Sequence, residues 1–470
     1  MESARSQPKR TGAATAAATG IGAEGSGSGS VEPRSVVGEL EPSAEEGQTK
    51  VLNEDLMERV MGEDNLRAAY LAVKANKGAA GIDHMITEEL GDHLRKCWPG
   101  LKTKLMEGRY KPSPVRAVEI PKPGGGTRRL GIPTVMDRFI QQALHQEMDR
   151  IFDPTFSEHS YGFRRNRSAH EAVKAARHYV SEEGRCWVID IDIKAYFDTI
   201  DHDILMRKVA VRVKDKRVLK LIGKYLRSGV LENGKVKRSA KGTPQGGPLS
   251  PLLGNIYLDE LDRELERRGV VFCRYADDVT IYAKSERSAK RTYESIVEWI
   301  EKNLKLEVNR TKSGVRPPDQ GSFLGFRITE EGKIAMSEKS IEAFKARVRS
   351  HWTKQRSLPG KEVLESWQKY LRGWIGYYRL SERVSDWKDL EGWIRRHMRK
   401  WFWQRWHNWK GRANAFRRLG VRPCHQRMAR SGRGAWRMAG MLNVILGNRW
   451  LREHGFWVPS DLVKAGTAPT

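Results

Sequence analysis

Residues 270–283 read VVFCRYADDVTIYA. Two runs of strand-forming residues meet at Ala276, Asp277 and Asp278, which predicts a hairpin with two adjacent carboxylates at its tip. Two like charges side by side cost energy unless a cation neutralises them. Hard divalent cations such as Mg2+ prefer oxygen ligands and accept substrate phosphates as further ligands. The stretch therefore indicates either a metal-dependent phosphoryl-transfer site or a solvated turn, where Asp is also common.

A second candidate strand carries further carboxylates. Residues 188–193, VIDIDI, alternate apolar residues with aspartates, so Asp190 and Asp192 are predicted to share one face of a strand. A helix is predicted to begin near Asp201. Asp192, at the end of the strand, is positioned as a metal ligand. The alternative is that it caps the following helix, a role that Asp201 or Asp203 can equally fill.

Two segments rich in Gly and Pro are candidates for close contact with a ligand. Residues 241–251, KGTPQGGPLSP, contain three glycines and three prolines, and glycine allows a backbone to approach a ligand closely. The amide of Gln245 in this segment can donate to a sugar or a phosphate. Residues 116–133, RAVEIPKPGGGTRRLGIP, predict a hairpin with Lys122 and Arg128 near its tip, where they can pair with phosphates. The alternatives are an interdomain turn and a basic, solvated hairpin.

The charge balance indicates the kind of partner. The 470-residue chain has 85 Lys and Arg against 58 Asp and Glu, a formal net charge of +27, which favours a polyanion such as nucleic acid. Residues 341–470 hold 28 basic residues, 9 acidic residues and 12 of the 15 tryptophans. About two-thirds of these tryptophans are expected in a helical core, because Trp is highly buried on average. The arginines between them are the better nucleic-acid contacts.

Several classes of protein do not fit this sequence. No apolar run approaches the roughly 20 residues needed to cross a bilayer, and the N-terminus has no apolar segment typical of a signal peptide. The four cysteines are scattered without a CxxC pair, so neither a zinc site nor a disulfide framework is predicted. A cytoplasmic protein with reduced thiols and no membrane partner fits best. Residues 1–50, rich in Ala, Gly, Ser and Glu, are predicted to be disordered.

In their order and spacing these motifs resemble the group II intron-encoded reverse transcriptases, or maturases, of bacteria. The segments that carry the resemblance are IPKPGGGTRRLGIPTVMDR at 120–138, DIKAYFDTIDH at 192–202, GTPQGGPLSPLLGNIYLDELD at 242–262, RYADD at 274–278, FLGF at 323–326 and YLRGWIGYY at 370–378. The resemblance implies an α+β right-hand polymerase fold. Its expected parts are a disordered tail (1–50), fingers and a palm with an antiparallel sheet (51–335), an α-helical thumb with maturase activity (336–400) and a basic helical DNA-binding region (401–470).

The resemblance also implies a set of site residues. Asp192, Asp277 and Asp278 would be catalytic and would hold two Mg2+ ions, with Mn2+ as a possible substitute. The backbone carbonyl of Ile193 would complete one coordination sphere. The implied substrate-binding residues are Lys122 and Arg128 at the triphosphate, Phe197 beneath the sugar as a steric gate against rNTPs, Gln245 near the nucleotide and Lys312 near the leaving group. Asp190, one step earlier on the same strand face, would have a supporting role.

The implied function is RNA-directed DNA synthesis combined with maturase activity. The partners would be group II intron RNA, an RNA template with a DNA primer, target DNA and dNTPs, in a cytoplasmic ribonucleoprotein that supports splicing and retrohoming. Cys424 has no cysteine partner and a short tail follows Trp457, so no HNH endonuclease domain and no bottom-strand cleavage are expected. The alternatives are a domesticated host or defence reverse transcriptase without an intron, and an RNA chaperone with an inactive polymerase site.

Overall fold

The structure is a computed structural model that describes residues 54–464, except 122–126, 233, 238–239 and 356. The predicted disordered segment 1–50 and the fingers residue Lys122 lie outside the described residues. The first elements in chain order are α1 (Leu56–Val60), α2 (Glu63–Asn76), α3 (Leu90–Met106), β1 (Val115–Pro121), β2 (Thr127–Ile132), α4 (Val135–Phe152), α5 (Ala169–Ser181), β3 (Trp187–Asp192), α6 (Tyr196–Thr199), α7 (His202–Arg212), α8 (Lys216–Leu226), β4 (Val230–Glu232), β5 (Lys235–Lys237) and α9 (Ser250–Arg267).

The remaining elements begin with the predicted hairpin, and every element after the last strand is a helix. They are β6 (Val271–Tyr275), β7 (Asp278–Ala283), α10 (Glu286–Trp299), β8 (Gly314–Arg316), β9 (Phe326–Ile328), β10 (Ile334–Met336), α11 (Glu338–Lys354), α12 (Gly360–Tyr378), α13 (Val384–Arg405), α14 (Trp409–Arg418), α15 (Pro423–Gln426), α16 (Ala439–Ile445), α17 (Asn448–Glu453) and α18 (Pro459–Lys464). The α+β class with a helical C-terminal part, expected from the sequence, is confirmed.

A four-stranded antiparallel sheet in the order β6-β7-β3-β8 carries the aspartates. Strands β6 and β7 pair down to Tyr275 and Asp278, so the hairpin predicted for residues 270–283 is confirmed. Successive side chains of a strand point to opposite faces. On β3 this puts Ile189 and Ile191, both buried, on the face opposite to the aspartates. The predicted strand and its acidic face are thus confirmed.

A second four-stranded sheet contains the other predicted hairpin. Strands β1 and β2 are antiparallel partners from Arg116 and Ile132 to Pro121 and Thr127, and β1 also pairs with β4 in parallel. Arg128 lies opposite Ile120 in this hairpin. Its backbone is described, whereas its side chain lies outside the described part of the structure.

Apolar side chains cover both faces of the aspartate-bearing sheet. The largest cluster packs helices such as α4, α7 and α9 against the isoleucine face of β3, and a smaller one packs α5 and β9 against Val188, Cys273 and Tyr282. A separate helical core spans Met336 to Leu462. Of the twelve C-terminal tryptophans, four are buried in this core and six are partly buried against it, while Trp409 and Trp436 are about half exposed. The buried share is therefore smaller than the two-thirds expected.

The residue patterns predict a helix over 393–409, a strand over 304–314 that ends in a basic turn at Lys312, a strand over 321–328 and a helix over 52–76. The structure differs from each of these four predictions. The single helix predicted for residues 393–409 ends at Arg405, because His407 adopts a left-handed φ of 51° and Asn408 caps α14. The strand predicted for 304–314 is wrong over most of its length. Only Val308 forms a bridge, to Ile193, and the regular strand begins at Gly314. The strand predicted for 321–328 is shorter than expected and corresponds to β9, and the helix predicted for 52–76 is divided into α1 and α2.

Two buried histidines predict that the helical core is sensitive to acid. Burial lowers the pKa of His351 to about 4, and burial together with nearby Lys400 and Arg349 lowers the pKa of His397 to about 4. Between about pH 4 and pH 6.5 the unfolded chain therefore binds protons that the folded core does not. The free energy of unfolding should fall as the pH drops through this window, by about 3 kcal/mol for each histidine.

Urea unfolding followed by tryptophan fluorescence at several pH values tests this expectation. Both ring nitrogens of His397 lack a hydrogen-bonding partner among the described residues, so His397→Phe removes the titration without losing a hydrogen bond. Between pH 6.5 and pH 4 we expect this variant to lose about 3 kcal/mol less stability than the wild type does. The matched control is His93→Phe at an exposed position of α3, which should leave the pH dependence unchanged. An unchanged slope in His397→Phe would contradict the prediction.

Candidate active site

The structure brings the three predicted catalytic aspartates together at one end of the sheet. Asp192, the last residue of β3, lies directly opposite Asp278, the first residue of β7. Cα atoms of opposed residues in an antiparallel pair are about 4.5–5.5 Å apart, and their side chains share a face. Asp277 precedes Asp278 in the two-residue loop of the hairpin. Asp190 lies on the same face, opposite Thr280.

The alternative role of Asp192, capping the next helix, is not observed. The carboxylate of Asp201 accepts hydrogen bonds from the backbone N–H groups of Asp203 and Ile204, at 3.0 and 3.1 Å, and thereby caps α7. Asp192 is therefore available to the site at the strand end.

Backbone geometry directs the carbonyl of Ile193 toward the hairpin. The N–H of Asn309 donates to the carbonyl of Asp192 at 2.8 Å, and the N–H of Lys194 donates to the carbonyl of Glu307 at 2.9 Å. These bonds flank Ile193 on the β8 side of the strand. Because successive carbonyls of a strand point in opposite directions, that of Ile193 points to the β7 side, where the hairpin loop lies.

The hairpin tip has a tightly packed backbone. Ala276 adopts a left-handed φ of 59°, which is uncommon for a residue with a Cβ. Gly162 lies against this turn, and a Cβ at Gly162 would come within 2.3 Å of the backbone nitrogen of Ala276. A glycine is therefore required at position 162. The side chain of Asn255 on α9 donates to the carbonyl of Gly162 at 2.8 Å, which fixes that segment in place.

A buried ion pair under the hairpin was not anticipated from the sequence. Arg274 and Asp262 are fully buried and form two parallel hydrogen bonds, Nε to Oδ1 at 2.7 Å and Nη2 to Oδ2 at 2.5 Å. Nη1 of Arg274 also donates to Asn255 Oδ1 and to the carbonyl of Ala276, each at 2.9 Å. The pair thus connects α9 to the loop that carries Asp277. The sequence does contain one indication of this ion pair: Arg274 is a charged residue within an otherwise apolar strand.

The carboxylates at the end of the sheet repel one another, and this repulsion adds to the effect of burial on the pKa of Asp278. Desolvation in the cleft, followed by the charges of Asp277, Asp192 and Asp190, raises the pKa of Asp278 to about 6. Burial also raises the pKa of Asp190 to about 6, against the opposing effect of Arg316.

Two cations on the segment after α10 approach these acids. Lys312 Nζ lies 3.5 Å from Asp192 Oδ2, and Arg316 Nε lies 3.2 Å from Asp190 Oδ2. Arg316 also donates to the carbonyl of Lys312 at 2.9 Å, and Ser313 Oγ accepts from the N–H of Asp192 at 2.9 Å. Lys312 lies in a turn, as predicted, and Arg316 ends the short strand β8, which pairs with β3. The structure therefore places Lys312 beside the aspartates.

The Gly/Pro loop is attached to the hairpin of the second sheet and to α6. The N–H of Gly131 donates to the carbonyl of Gln245 at 2.8 Å, and the N–H of Thr243 donates to the carbonyl of Phe197 at 2.7 Å. Gly242 has a φ of 84°, and a Cβ there would lie 2.7 Å from the carbonyl oxygen of Asp198. Phe197 itself is buried, with its ring against Gly254.

An open cleft of about 260 Å3 runs along this loop, and Arg129, Asp198, Lys241 and Gln245 are among its lining residues. The structure thus brings Gln245 to the cleft, whereas Phe197 contacts the loop through its backbone carbonyl. Lys122 falls outside the described residues.

The donor set fits a hard divalent cation, although it is not a closed chelate. Within the described ranges no three His, Cys, Asp or Glu side chains converge closely enough to hold an ion by themselves. Mg2+ is usually bound by one or two carboxylates plus substrate phosphates, not by an all-protein cage. Three neighbouring carboxylates that repel one another can therefore bind a divalent ion that is also coordinated by the phosphates of a nucleotide.

Two segments of the chain match known protein families. Residues 120–328 match the family model "Reverse transcriptase (RNA-dependent DNA polymerase)", and residues 341–420 match "Group II intron, maturase-specific domain". Protein YkfC of Escherichia coli is 34% identical over 294 residues, which cover 54% of this chain and 77% of that protein. The group II intron-encoded protein LtrA of Lactococcus lactis is 38% identical over 212 residues, which cover 44% of this chain and 34% of LtrA.

Solved structures show a more distant likeness. Telomerase from Candida albicans, in complex with a fragment of telomeric RNA, is 13% identical with a TM-score of 0.40, covering 76% of this chain and 65% of that one. A Cas6-RT-Cas1–Cas2 complex is 20% identical with a TM-score of 0.35, covering 53% and 42%.

The hairpin aspartates, the palm-like sheet and the first family model define a reverse transcriptase, that is, an RNA-directed DNA polymerase. Within that class, the chain belongs to the group II intron-encoded reverse transcriptase/maturase family. The reverse transcriptase domain is dependent on divalent metal, and RNA is among the partners of the protein. No helix in the described ranges is both long enough and apolar enough to cross a bilayer.

Proposed function

We propose that Asp192, Asp277 and Asp278 hold two Mg2+ ions and that the protein adds dNTPs to a DNA primer on an RNA template at this site. The observation that carries the proposal is the register of β3 and β7, which places Asp192 opposite Asp278 beside the loop containing Asp277. The carbonyl of Ile193 is directed to the same place and supplies a further oxygen. Mn2+, also a hard cation with oxygen ligands, is the expected substitute.

The chain's own residues have distinct parts in this mechanism. When bound, the ions lower the pKa of a hydroxyl nucleophile and stabilise charge on the phosphoryl oxygens. Lys312, 3.5 Å from Asp192, brings a positive charge toward the leaving group. Phe197 supports the sugar and disfavours a 2′-hydroxyl, while Gln245 contacts the nucleotide across the cleft. Lys122 and Arg128 on the hairpin of the second sheet bind the triphosphate.

The C-terminal helices are proposed to bind the intron RNA and the target DNA. We assign fingers and palm to residues 51–335, the thumb with maturase activity to 336–400 and the DNA-binding region to 401–470. The last two segments share one helical core, so they are proposed to act together on nucleic acid. The proposed setting is a cytoplasmic ribonucleoprotein that copies intron RNA during retrohoming.

Two measurements test the proposed function. Purified protein should extend oligo(dT) on poly(rA) with dTTP when Mg2+ is present, and EDTA should stop the extension. Sequencing of the RNA that copurifies with the protein should return a structured intron RNA enriched over total RNA. Extension that is unaffected by EDTA would contradict the metal site, and copurifying RNA without an intron would contradict the maturase assignment.

The raised pKa of Asp278 predicts that Mg2+ binding is pH-dependent. In the metal-free protein the folded state keeps this proton up to about pH 6, so its contribution to stability is present at low pH and is lost as the pH rises through about 6. A bound cation removes the repulsion that causes this loss and competes with the proton. MgCl2 should therefore raise the melting temperature more at about pH 7.5 than at about pH 5.

Differential scanning fluorimetry, with EDTA as the metal-free reference, measures this difference. In Asp278→Asn the side chain at position 278 is neutral at both pH values. In EDTA, this variant should therefore lose less stability than the wild type between about pH 5 and about pH 7.5. MgCl2 should also raise its melting temperature less than it raises that of the wild type. The matched control is Asp203→Asn at an exposed position of α7, which should behave as the wild type. Equal Mg2+ shifts at both pH values in the wild type would contradict the prediction.

A further inference from the structure

A basic groove lies between α13 and α16, far along the chain from the aspartate site. It has a volume of about 750 Å3, within the range of about 300–1,000 Å3 that is typical of ligand pockets. Arg395, Arg396 and Arg399 of α13 line one wall, and Trp436 and Asn443 line the other. We call this feature the arginine–tryptophan groove. One wall lies inside the matched maturase-specific segment 341–420, and the other lies beyond it.

The positive charge of the groove is only partly balanced. Arg395 pairs with Glu391 at 3.2 Å. Arg399 is buried and donates to the carbonyl of Leu446 and to Asn448 Oδ1, at 2.9 and 2.7 Å, which fixes the wall in place. Arg396 is exposed and has no acidic partner among the described residues. Since none of the described residues that line the groove is acidic, the groove favours an anion.

An aromatic surface completes the groove. Trp436 is 48% exposed, although most tryptophans of this region pack in the core. The rings of His397 and Trp436 meet edge to face, with centroids 5.3 Å apart, and Lys400 Nζ lies over the Trp436 ring, 5.2 Å from its centroid. The ring is thus fixed in orientation while a large part of its surface faces solvent. Nearby Asn443 is also exposed and offers an amide to a polar group.

We propose that the arginine–tryptophan groove binds an unpaired segment of nucleic acid, with one base stacked on Trp436 and the adjacent phosphates at Arg396. Arginines that neutralise phosphates beside an aromatic ring that stacks a base are the usual elements of single-strand recognition. An acidic peptide would use the arginines but would leave the exposed indole without a planar partner. A duplex would keep its bases paired and unable to stack on the ring. The inference rests on the proposed nucleic-acid role of the C-terminal helices and goes beyond the polymerase site.

Photo-cross-linking and affinity measurements on the full chain test this proposal. The probes are two short single-stranded oligonucleotides, one of RNA and one of DNA. For cross-linking they carry 5-iodouracil. For affinity they carry a fluorescent label, and binding is measured by anisotropy in the absence of dNTPs and Mg2+. We expect the cross-linked peptide to contain Trp436. Trp436→Ala should weaken binding by about 5- to 150-fold, the range for loss of one stacked base, and Trp436→Phe should weaken it less. Arg396→Ala should reduce the dependence of log Kd on log salt by about 0.7.

Matched controls separate the groove from the general basic surface. Trp409 is 47% exposed in the same region, with Arg430 at 5.2 Å from its ring centroid, but it does not line the groove. Trp409→Ala and Arg418→Ala should therefore change the affinity less than Trp436→Ala and Arg396→Ala. A cross-link with the RNA oligonucleotide alone identifies RNA as the occupant, and one with the DNA oligonucleotide alone identifies DNA.

The proposal is overturned if no cross-link maps to residues 392–448 and Trp436→Ala binds as tightly as Trp409→Ala. The proposal is also overturned if an unlabelled duplex suppresses the cross-link to Trp436 at the same concentration as an unlabelled single strand. Because neither metal ions nor dNTPs are present, these results do not depend on whether the aspartate site polymerises. A protein that binds at Trp436 but fails to extend a primer would contradict the proposed function and leave this inference standing.

Discussion

Asp277→Ala is expected to abolish Mg2+-dependent incorporation of dTTP on poly(rA)/oligo(dT). Asp277 lies in the two-residue loop of the hairpin, next to the opposed pair Asp192 and Asp278. Removing one carboxylate from a set that is not a closed chelate leaves too few protein ligands for two ions. Because the ions provide several kcal/mol of transition-state stabilisation, the rate should fall by about 1,000-fold or more. Primer extension under single-turnover conditions measures this loss.

RNA binding distinguishes loss of the metal site from loss of the fold. The charge that attracts nucleic acid is spread over 85 Lys and Arg residues, so the affinity of Asp277→Ala for structured RNA should remain within about twofold of the wild type. The control is Asp203→Ala, which removes a carboxylate from an exposed position of α7 and should polymerise normally. Wild-type extension by Asp277→Ala would refute the metal assignment, and loss of both activities would indicate misfolding.

The parts of the site that follow from local sequence could be predicted. The alternation of VIDIDI places Asp190 and Asp192 on one strand face whatever the rest of the fold is, because the strand repeat is two residues. The two apolar runs around Ala276, Asp277 and Asp278 specify a hairpin for the same reason. The meeting of Asp192 with Asp278 was suggested by the resemblance to a family, since pairing between strands distant in sequence is not encoded locally.

The parts that depend on distant contacts could not be predicted in this way. Residues 304–314 have alternating apolar positions, yet their pairing with the end of β3 is limited to one bridge at Val308, flanked by hydrogen bonds to Asp192 and Lys194. The left-handed turn at His407 divides a helix that the Trp/Arg pattern would continue. The exposed ring of Trp436 is indistinguishable in sequence from its buried neighbours, because burial depends on which helix face meets the core.

The ion pair between Arg274 and Asp262 predicts the largest loss of stability. Asp262→Asn keeps the shape of the side chain but leaves the guanidinium of Arg274 without a counter-charge in a site that is fully buried. Breaking such a pair costs about 3–5 kcal/mol, which corresponds to a fall in melting temperature on the order of 10 °C. Thermal unfolding followed by circular dichroism measures the change. Glu286→Gln breaks the exposed pair with Lys290 at 2.6 Å and should cost less than about 1 kcal/mol.

A double variant separates the two roles of this ion pair. In Arg274→Met with Asp262→Leu, no buried charge remains, and replacement of a buried pair by apolar side chains is often neutral for stability. The melting temperature should therefore recover most of the loss seen in Asp262→Asn. Primer extension should stay low, because the bonds from Arg274 to Asn255 and to the carbonyl of Ala276 are absent and the loop with Asp277 is no longer held. Recovery of both stability and activity would show that the pair contributes only to folding, whereas recovery of stability alone shows that Arg274 positions the catalytic hairpin.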